Sequence, residues 1–179
     1  FNPSKVQAYR LIGYENRLLN DEDFNNDRKD AGEMGSGHNV TAMYELIPAE
    51  SDERIPSVDP LKYQTTGRHG PQDEKKFNNE CLTIKIRYKK PDGITSMLLE
   101  KPVRDFVTDL DDASDNLRFA AAVSEFGMLL SNSEYKGGSA YDEVIRLARQ
   151  ARGSDDEGYR AEFVRLVETA KGINIQVDK

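Results

Sequence analysis

The sequence predicts an α+β fold: an antiparallel β-sandwich or sheet from the N-terminal half, packed with a layer of three helices from the C-terminal half. Several segments before Asp105 alternate apolar and polar residues, which is typical of strands with one buried face. After Asp105, apolar residues recur every three or four positions, as they do on helices that pack together. Strands followed by helices indicate this class rather than a doubly wound sheet, in which the two alternate.

Five segments of the N-terminal half have strand character. Four of them are extended and rich in branched or aromatic residues, and they cover residues 6–14, 40–47, 82–88 and 95–103. The fifth, residues 57–66, contains Pro60, which suits an edge strand because proline donates no hydrogen bond to a neighbouring strand.

Two of these strands have a clear apolar face, because alternate side chains of a strand point to opposite sides. The predicted buried residues are Val40, Ala42, Tyr44 and Leu46 in the first, and Leu82, Ile84, Ile86 and Tyr88 in the second. The other face of the second strand is polar and is predicted to meet water. After it, Pro91-Asp92-Gly93 predicts a tight turn into an antiparallel return strand.

The first predicted helix covers residues 116–131 and is buried over most of its surface. Its apolar stripe consists of Phe119, Ala122, Val123, Phe126 and Leu130, with Leu117, Ala121 and Met128 beside it. The string from Asp112 to Asn116 is predicted to supply its N-cap.

Two further helices carry the same start and stop signals. Ser139 and Ser154 begin capping signatures, and Gly153 and Gly172 end the helices. Their predicted core faces are Tyr141, Val144, Ile145, Ala148 and Ala151, and then Tyr159, Phe163, Leu166, Val167 and Ala170. Short connections favour an antiparallel array. The alternating tail of Ile173, Ile175 and Val177 predicts a final strand.

Composition limits the domain organisation and the partners. The 179 residues are predicted to form one structural unit of two parts, 1–108 and 109–179. A net charge of -7 disfavours nucleic acid, because phosphate binding relies on clustered Lys and Arg. No apolar run reaches the roughly 20 residues that span a bilayer. The single cysteine, Cys81, is predicted to be a small buried hydrophobe.

Five blocks follow one another along nearly the whole chain: residues 8–19 (AYRLIGYENRLL), 30–46 (DAGEMGSGHNVTAMYEL), 82–93 (LTIKIRYKKPDG), 117–130 (LRFAAAVSEFGMLL) and 158–171 (GYRAEFVRLVETAK). In this order they resemble the C-terminal domain that follows the von Willebrand factor type A domain in a family of bacterial proteins. The resemblance implies a domain of unknown function with no catalytic residues to carry over.

The resemblance also implies a place in the cell. Relatives look like cell-envelope proteins, often lipoproteins, in which the type A domain binds metal and ligand through an Asp-x-Ser-x-Ser motif. This chain lacks that motif, since the string from Asp112 to Asn116 has asparagine at the second serine. The expected partners are its own upstream type A domain and another envelope protein. The expected localisation is periplasmic or surface-exposed, with a lipid anchor upstream.

The start of the chain carries a further expectation. Phe1 comes almost directly before the first strand, and we expect the chain to be a fragment or a processed product. The sheet is then expected to lack strands from elsewhere in the protein, which leaves an edge open to pairing.

Gly35, Gly37 and His38 form the candidate interaction turn. Glycines so close together permit backbone dihedrals that other residues resist. Functionally, the exposed amides of the turn form a nest for an anion or a neighbouring domain. Structurally, the turn only reverses the chain before a strand, and the sequence favours this second interpretation.

Three other candidate sites have weak support from the residues. His38, His69 and Cys81 contain no short ligand pair for zinc. Glu33 and His38 offer an acid and a base without a nucleophile motif. The acidic run of Asp109, Asp111, Asp112 and Asp115 has Ala113 at a calcium-ligand position.

The residues therefore predict no catalytic, cofactor-binding or metal site. We expect a non-catalytic interaction module beside a type A domain in a bacterial envelope protein. The alternative is a metal-dependent, hydrolase-like enzyme with its site in the loop of residues 49–80. That loop is far longer than the roughly 12–15 residues beyond which connections are usually functional or disordered.

Overall fold

The structure, a computed structural model, describes residues 1–14, 18–29, 32–52, 79–104 and 107–177. The strands are β1 (Val6–Ile12), β2 (Met43–Pro48), β3 (Glu80–Tyr88) and β4 (Met97–Arg104), and the helices are α1 (Asp115–Leu130), α2 (Tyr141–Gln150) and α3 (Tyr159–Val177). Short 3-10 helices cover Asp21–Asn25 and Leu110–Asp112. Antiparallel strands in the N-terminal half and three helices in the C-terminal half confirm the predicted α+β class.

Two compact units make up the chain. The strand unit consists of Phe1–Asn39 and Tyr44–Phe106, and the helical unit consists of Val40–Met43 and Val107–Lys179. The predicted division at residue 108 and the packing of the helices on the sheet stay predictions.

The described strands form two antiparallel sheets of two strands each, β1 with β2 and β3 with β4. In the first sheet, the backbone N–H of Ala49 donates to the carbonyl oxygen of Lys5 over 2.9 Å, and Arg10 pairs with Glu45. Asn2 links this end of the chain to β3, because its backbone N–H donates to the Cys81 carbonyl oxygen over 2.8 Å.

The turn between β3 and β4 forms where the sequence predicts it. The Gly93 N–H donates to the Lys90 carbonyl oxygen over 2.9 Å. Asp92, rather than the glycine, takes the left-handed φ of 63°. A Cβ on Gly93 would lie 3.0 Å from the Lys90 carbonyl oxygen, so close approach of the backbone explains the glycine.

The predicted burial of two strand faces is wrong. β2 begins at Met43, after Val40 and Ala42, and Val40 and Tyr44 are exposed. Ile84 and Ile86 of β3 are exposed as well. Alternation identifies which face of a strand is apolar, but burial of that face requires a second layer. Residues 57–66, the predicted edge strand, lie outside the described residues.

The hydrophobic core of the helical unit lies where its three helices meet. Its buried residues are Ala122 and Phe126 of α1, Val144, Ile145, Leu147 and Ala148 of α2, and Val164 and Val167 of α3. The Phe163 ring meets the rings of Phe119 and Phe126 edge to face, with centroids 5.2 and 5.6 Å apart. Since α2 supplies half of these buried residues, it is the centre of the unit.

The helix faces are predicted well for α2 and less well for its neighbours. Val144, Ile145, Ala148 and Ala151 are buried as predicted, and Leu147 joins them. The other two faces are wrong in part: Val123 and Leu130 of α1 and Tyr159 and Leu166 of α3 are exposed, while Val164 is buried. Apolar residues cover much of both helices, so packing against α2 selects the buried side.

Two of the three helix starts differ from those predicted. The Ser114 hydroxyl accepts a hydrogen bond from the Leu117 N–H over 3.3 Å and caps α1, as expected. α2 follows Ala140, which has no capping side chain, so the predicted cap at Ser139 is wrong.

Asp155, not Ser154, holds the first turn of α3. Its carboxylate accepts the N–H groups of Arg160 (3.0 Å) and Ala161 (2.8 Å). These hydrogen bonds, led by that of Arg160, lower the pKa of Asp155. A carboxylate is preferred here because its charge also complements the positive end of the helix dipole.

Arg160 joins all three helices. Its guanidinium donates to the Ala151 carbonyl oxygen at the end of α2 over 2.7 Å, donates to Asn116 of α1, and lies 4.8 Å from the centroid of the Phe119 ring. The last carbonyl oxygens of a helix have no partner within the helix, and Arg160 supplies a hydrogen bond to the one of Ala151.

α3 continues through Gly172 to Val177, so the predicted stop and the predicted final strand are wrong. One glycine inside a helix costs only about 1 kcal/mol relative to alanine, and the flanking residues are compatible with a helix. None of the helices in the described ranges is both long enough and apolar enough to cross a membrane.

Candidate interaction surfaces

The candidate turn of Gly35, Gly37 and His38 is a tight, exposed reverse turn. The His38 N–H donates to the Gly35 carbonyl oxygen over 3.2 Å, and Gly37 has a φ of 80°. A Cβ on Gly35 would lie 3.0 Å from Nδ1 of the His38 ring. Chain reversal thus accounts for both glycines, and a binding role of the turn stays a prediction.

The other candidate residues are dispersed. Glu33 and His38 are both exposed. In the described part of the chain, no three His, Cys, Asp or Glu side chains converge as metal ligands do. The proposed zinc set includes His69, which lies outside that part, as does most of the loop of residues 49–80. Cys81 is half-buried in β3 rather than fully buried.

The acidic run lies at the start of the helical unit. Asp109, Asp111 and Asp112 are exposed around the short 3-10 helix. Asp115 forms an ion pair with Arg118 over 2.6 Å. These acidic residues fit the start of a helix, where a negative charge interacts favourably with the free backbone N–H groups.

The β3–β4 hairpin has one apolar and one polar face, which its register defines. Cross-strand partners point to the same side, so the pairs Leu82–Val103, Ile86–Leu99 and Tyr88–Met97 share a face with Ile84. We call these seven residues the hairpin apolar face. Only Lys101, opposite Ile84, interrupts it.

The chain segment of residues 24–27 contacts the polar side of the hairpin near its turn. The Arg87 guanidinium donates to Asn25 Oδ1 over 3.0 Å and to Ser96 Oγ over 2.7 Å, and it lies 5.8 Å from the centroid of the Phe24 ring. Hydrogen bonding from Ser96 lowers the pKa of Asp27. This cluster attaches the segment to the hairpin.

Several side chains of the hairpin apolar face are partly exposed. Ile86 is 51% exposed, Leu99 47%, Tyr88 45%, Ile84 44% and Met97 36%. Leu82 and Val103 are half-buried. Both faces of the hairpin therefore carry exposed side chains, because Lys85 and Glu100 on the polar face are 55% and 49% exposed.

A smaller aromatic cluster lies on the first sheet. The Phe1 ring stacks on Tyr9 of β1 with centroids 3.9 Å apart, and it lies 5.8 Å from the ring centroid of Tyr44 of β2. All three rings are exposed. Exposed apolar groups are therefore found on both sheets of the strand unit.

The surroundings of Glu125 in the helical unit disfavour the charged form of its carboxyl group. Burial raises the pKa of its carboxyl, the nearby Glu143 raises it further, and Arg146 acts in the opposite direction. Its Oε2 is buried and has no hydrogen-bond partner among the described residues. Arg146 donates instead to Glu143, over 3.0 Å.

Sequence reasoning missed Arg87 and Arg160, the two arginines with the most varied contacts. Arg87 alternates with apolar residues, and this pattern predicts that it lies on the solvent-exposed face of its strand. Its partner Asn25 lies 62 positions away, so no local pattern indicates the contact. Arg160 lies five residues after Asp155, and this spacing indicates a contact between them only when the start of the helix is already known.

Comparison with known proteins gives one family. The family model described as "Uncharacterized protein YfbK, C-terminal" matches residues 1–173. The uncharacterized protein YfbK of Escherichia coli (strain K12) is 40% identical over 173 residues, which are 97% of this chain. The chain spans 28% of the length of that relative. No solved structure matches.

Proposed function

The chain belongs to the family of YfbK C-terminal domains, and on that premise we propose that it is a non-catalytic interaction module. It accompanies a von Willebrand factor type A domain in a bacterial cell-envelope protein. The observation that carries the proposal is the exposed hairpin apolar face. Contiguous exposed apolar surface of this kind marks interaction sites in soluble proteins.

Two further observations support this role. The helical unit has its own core, so the exposed strand faces do not reflect a general lack of apolar packing. The matched region is 28% of the E. coli relative, which leaves most of that protein available as a neighbour. The type A domain and the envelope come from the resemblance of the five sequence blocks.

The experiment uses the complete gene product in native cells. Cell fractionation is combined with lysine cross-linking and mass spectrometry. We expect recovery in the envelope fraction and cross-links from this region to a type A domain. Lys85 of the strand unit, which is exposed, and Lys136 of the helical unit, which is half-buried, serve as reporters.

The contrary result is equally clear. Recovery in the cytosolic fraction without cross-links to other parts of the protein contradicts the proposal. Stoichiometric zinc or calcium in the purified chain supports instead a metal-dependent enzyme, the alternative with its site in residues 49–80.

A further inference from the structure

We draw no further inference here: the strongest candidate, the partly exposed apolar face of the β3–β4 hairpin, carries none because nothing in the described part of the chain shows what covers it.

Discussion

Leu147 of α2 and Ile86 of β3 are side chains of similar size and hydrophobicity, yet Leu147 is 1% exposed and Ile86 is 51% exposed. The same contrast holds for the two units as wholes. Of the ten buried apolar residues in the described chain, nine belong to the helical unit and Val6 alone to the strand unit. Composition does not explain this difference, because both halves contain many apolar residues.

The difference follows from how the two kinds of element bury surface. Each helix satisfies its backbone internally, so three amphipathic helices can enclose a core by packing together. A two-stranded sheet exposes both faces and covers neither with its own backbone. Two-stranded sheets therefore bury less apolar surface than three helices that pack together.

The largest expected effect separates the two units directly. Leu147→Ala removes a fully buried side chain and is expected to lower the free energy of unfolding by about 3 kcal/mol. Ile86→Ala, at a half-exposed position, is expected to cost less than about 1 kcal/mol in the isolated chain. Urea unfolding followed by far-UV circular dichroism measures both. Equal effects would contradict the contrast between the units.

A smaller effect is expected where a charged side chain joins the three helices. Arg160→Met keeps the aliphatic stem but removes the hydrogen bonds to Ala151 and Asn116, which is expected to cost about 1–3 kcal/mol. Arg165→Met, at an exposed position of the same helix, is the control and is expected to change stability by less than about 0.5 kcal/mol. Thermal unfolding distinguishes them, and a neutral Arg160→Met would show that packing alone joins the helices.

The smallest expected effect concerns Glu125 and depends on pH. Because burial raises its pKa in the folded state, the protonated form is favoured there. Its contribution is favourable below the unfolded-state pKa and is lost as pH rises through the folded-state pKa. Glu125→Gln is therefore expected to raise the Tm slightly at neutral pH and to have no effect at acidic pH.

Glu134→Gln is the control for that measurement, because Glu134 is exposed beyond the end of α1. The same Tm difference for both variants at every pH would mean that net charge, rather than burial of Glu125, is responsible. A Tm decrease for Glu125→Gln at neutral pH would contradict the assigned direction of the pKa.

Sequence patterns predicted the elements better than their environments. The strands at 6–12, 80–88 and 97–104 and the first two helices lie within a few residues of the predicted ranges, whereas α3 runs past its predicted stop, because period and turn chemistry are local properties. The cap of α3 was assigned to Ser154 rather than Asp155, since neighbouring polar residues can all accept hydrogen bonds from a helix start. The candidate turn at Gly35 and Gly37 was identified for its backbone geometry, which the φ of Gly37 supports.

Local order along this chain, strands and then helices, was present in the periodicity of its residues, and so was the apolar side of each strand. The periodicity did not show whether an apolar side is covered, because burial depends on what lies across from that side in space. Val123 and Tyr159 were expected in a core and are exposed, and Arg87 was expected in water and holds a distant segment. Contacts between residues far apart in sequence decide these outcomes, and no period along the chain encodes them.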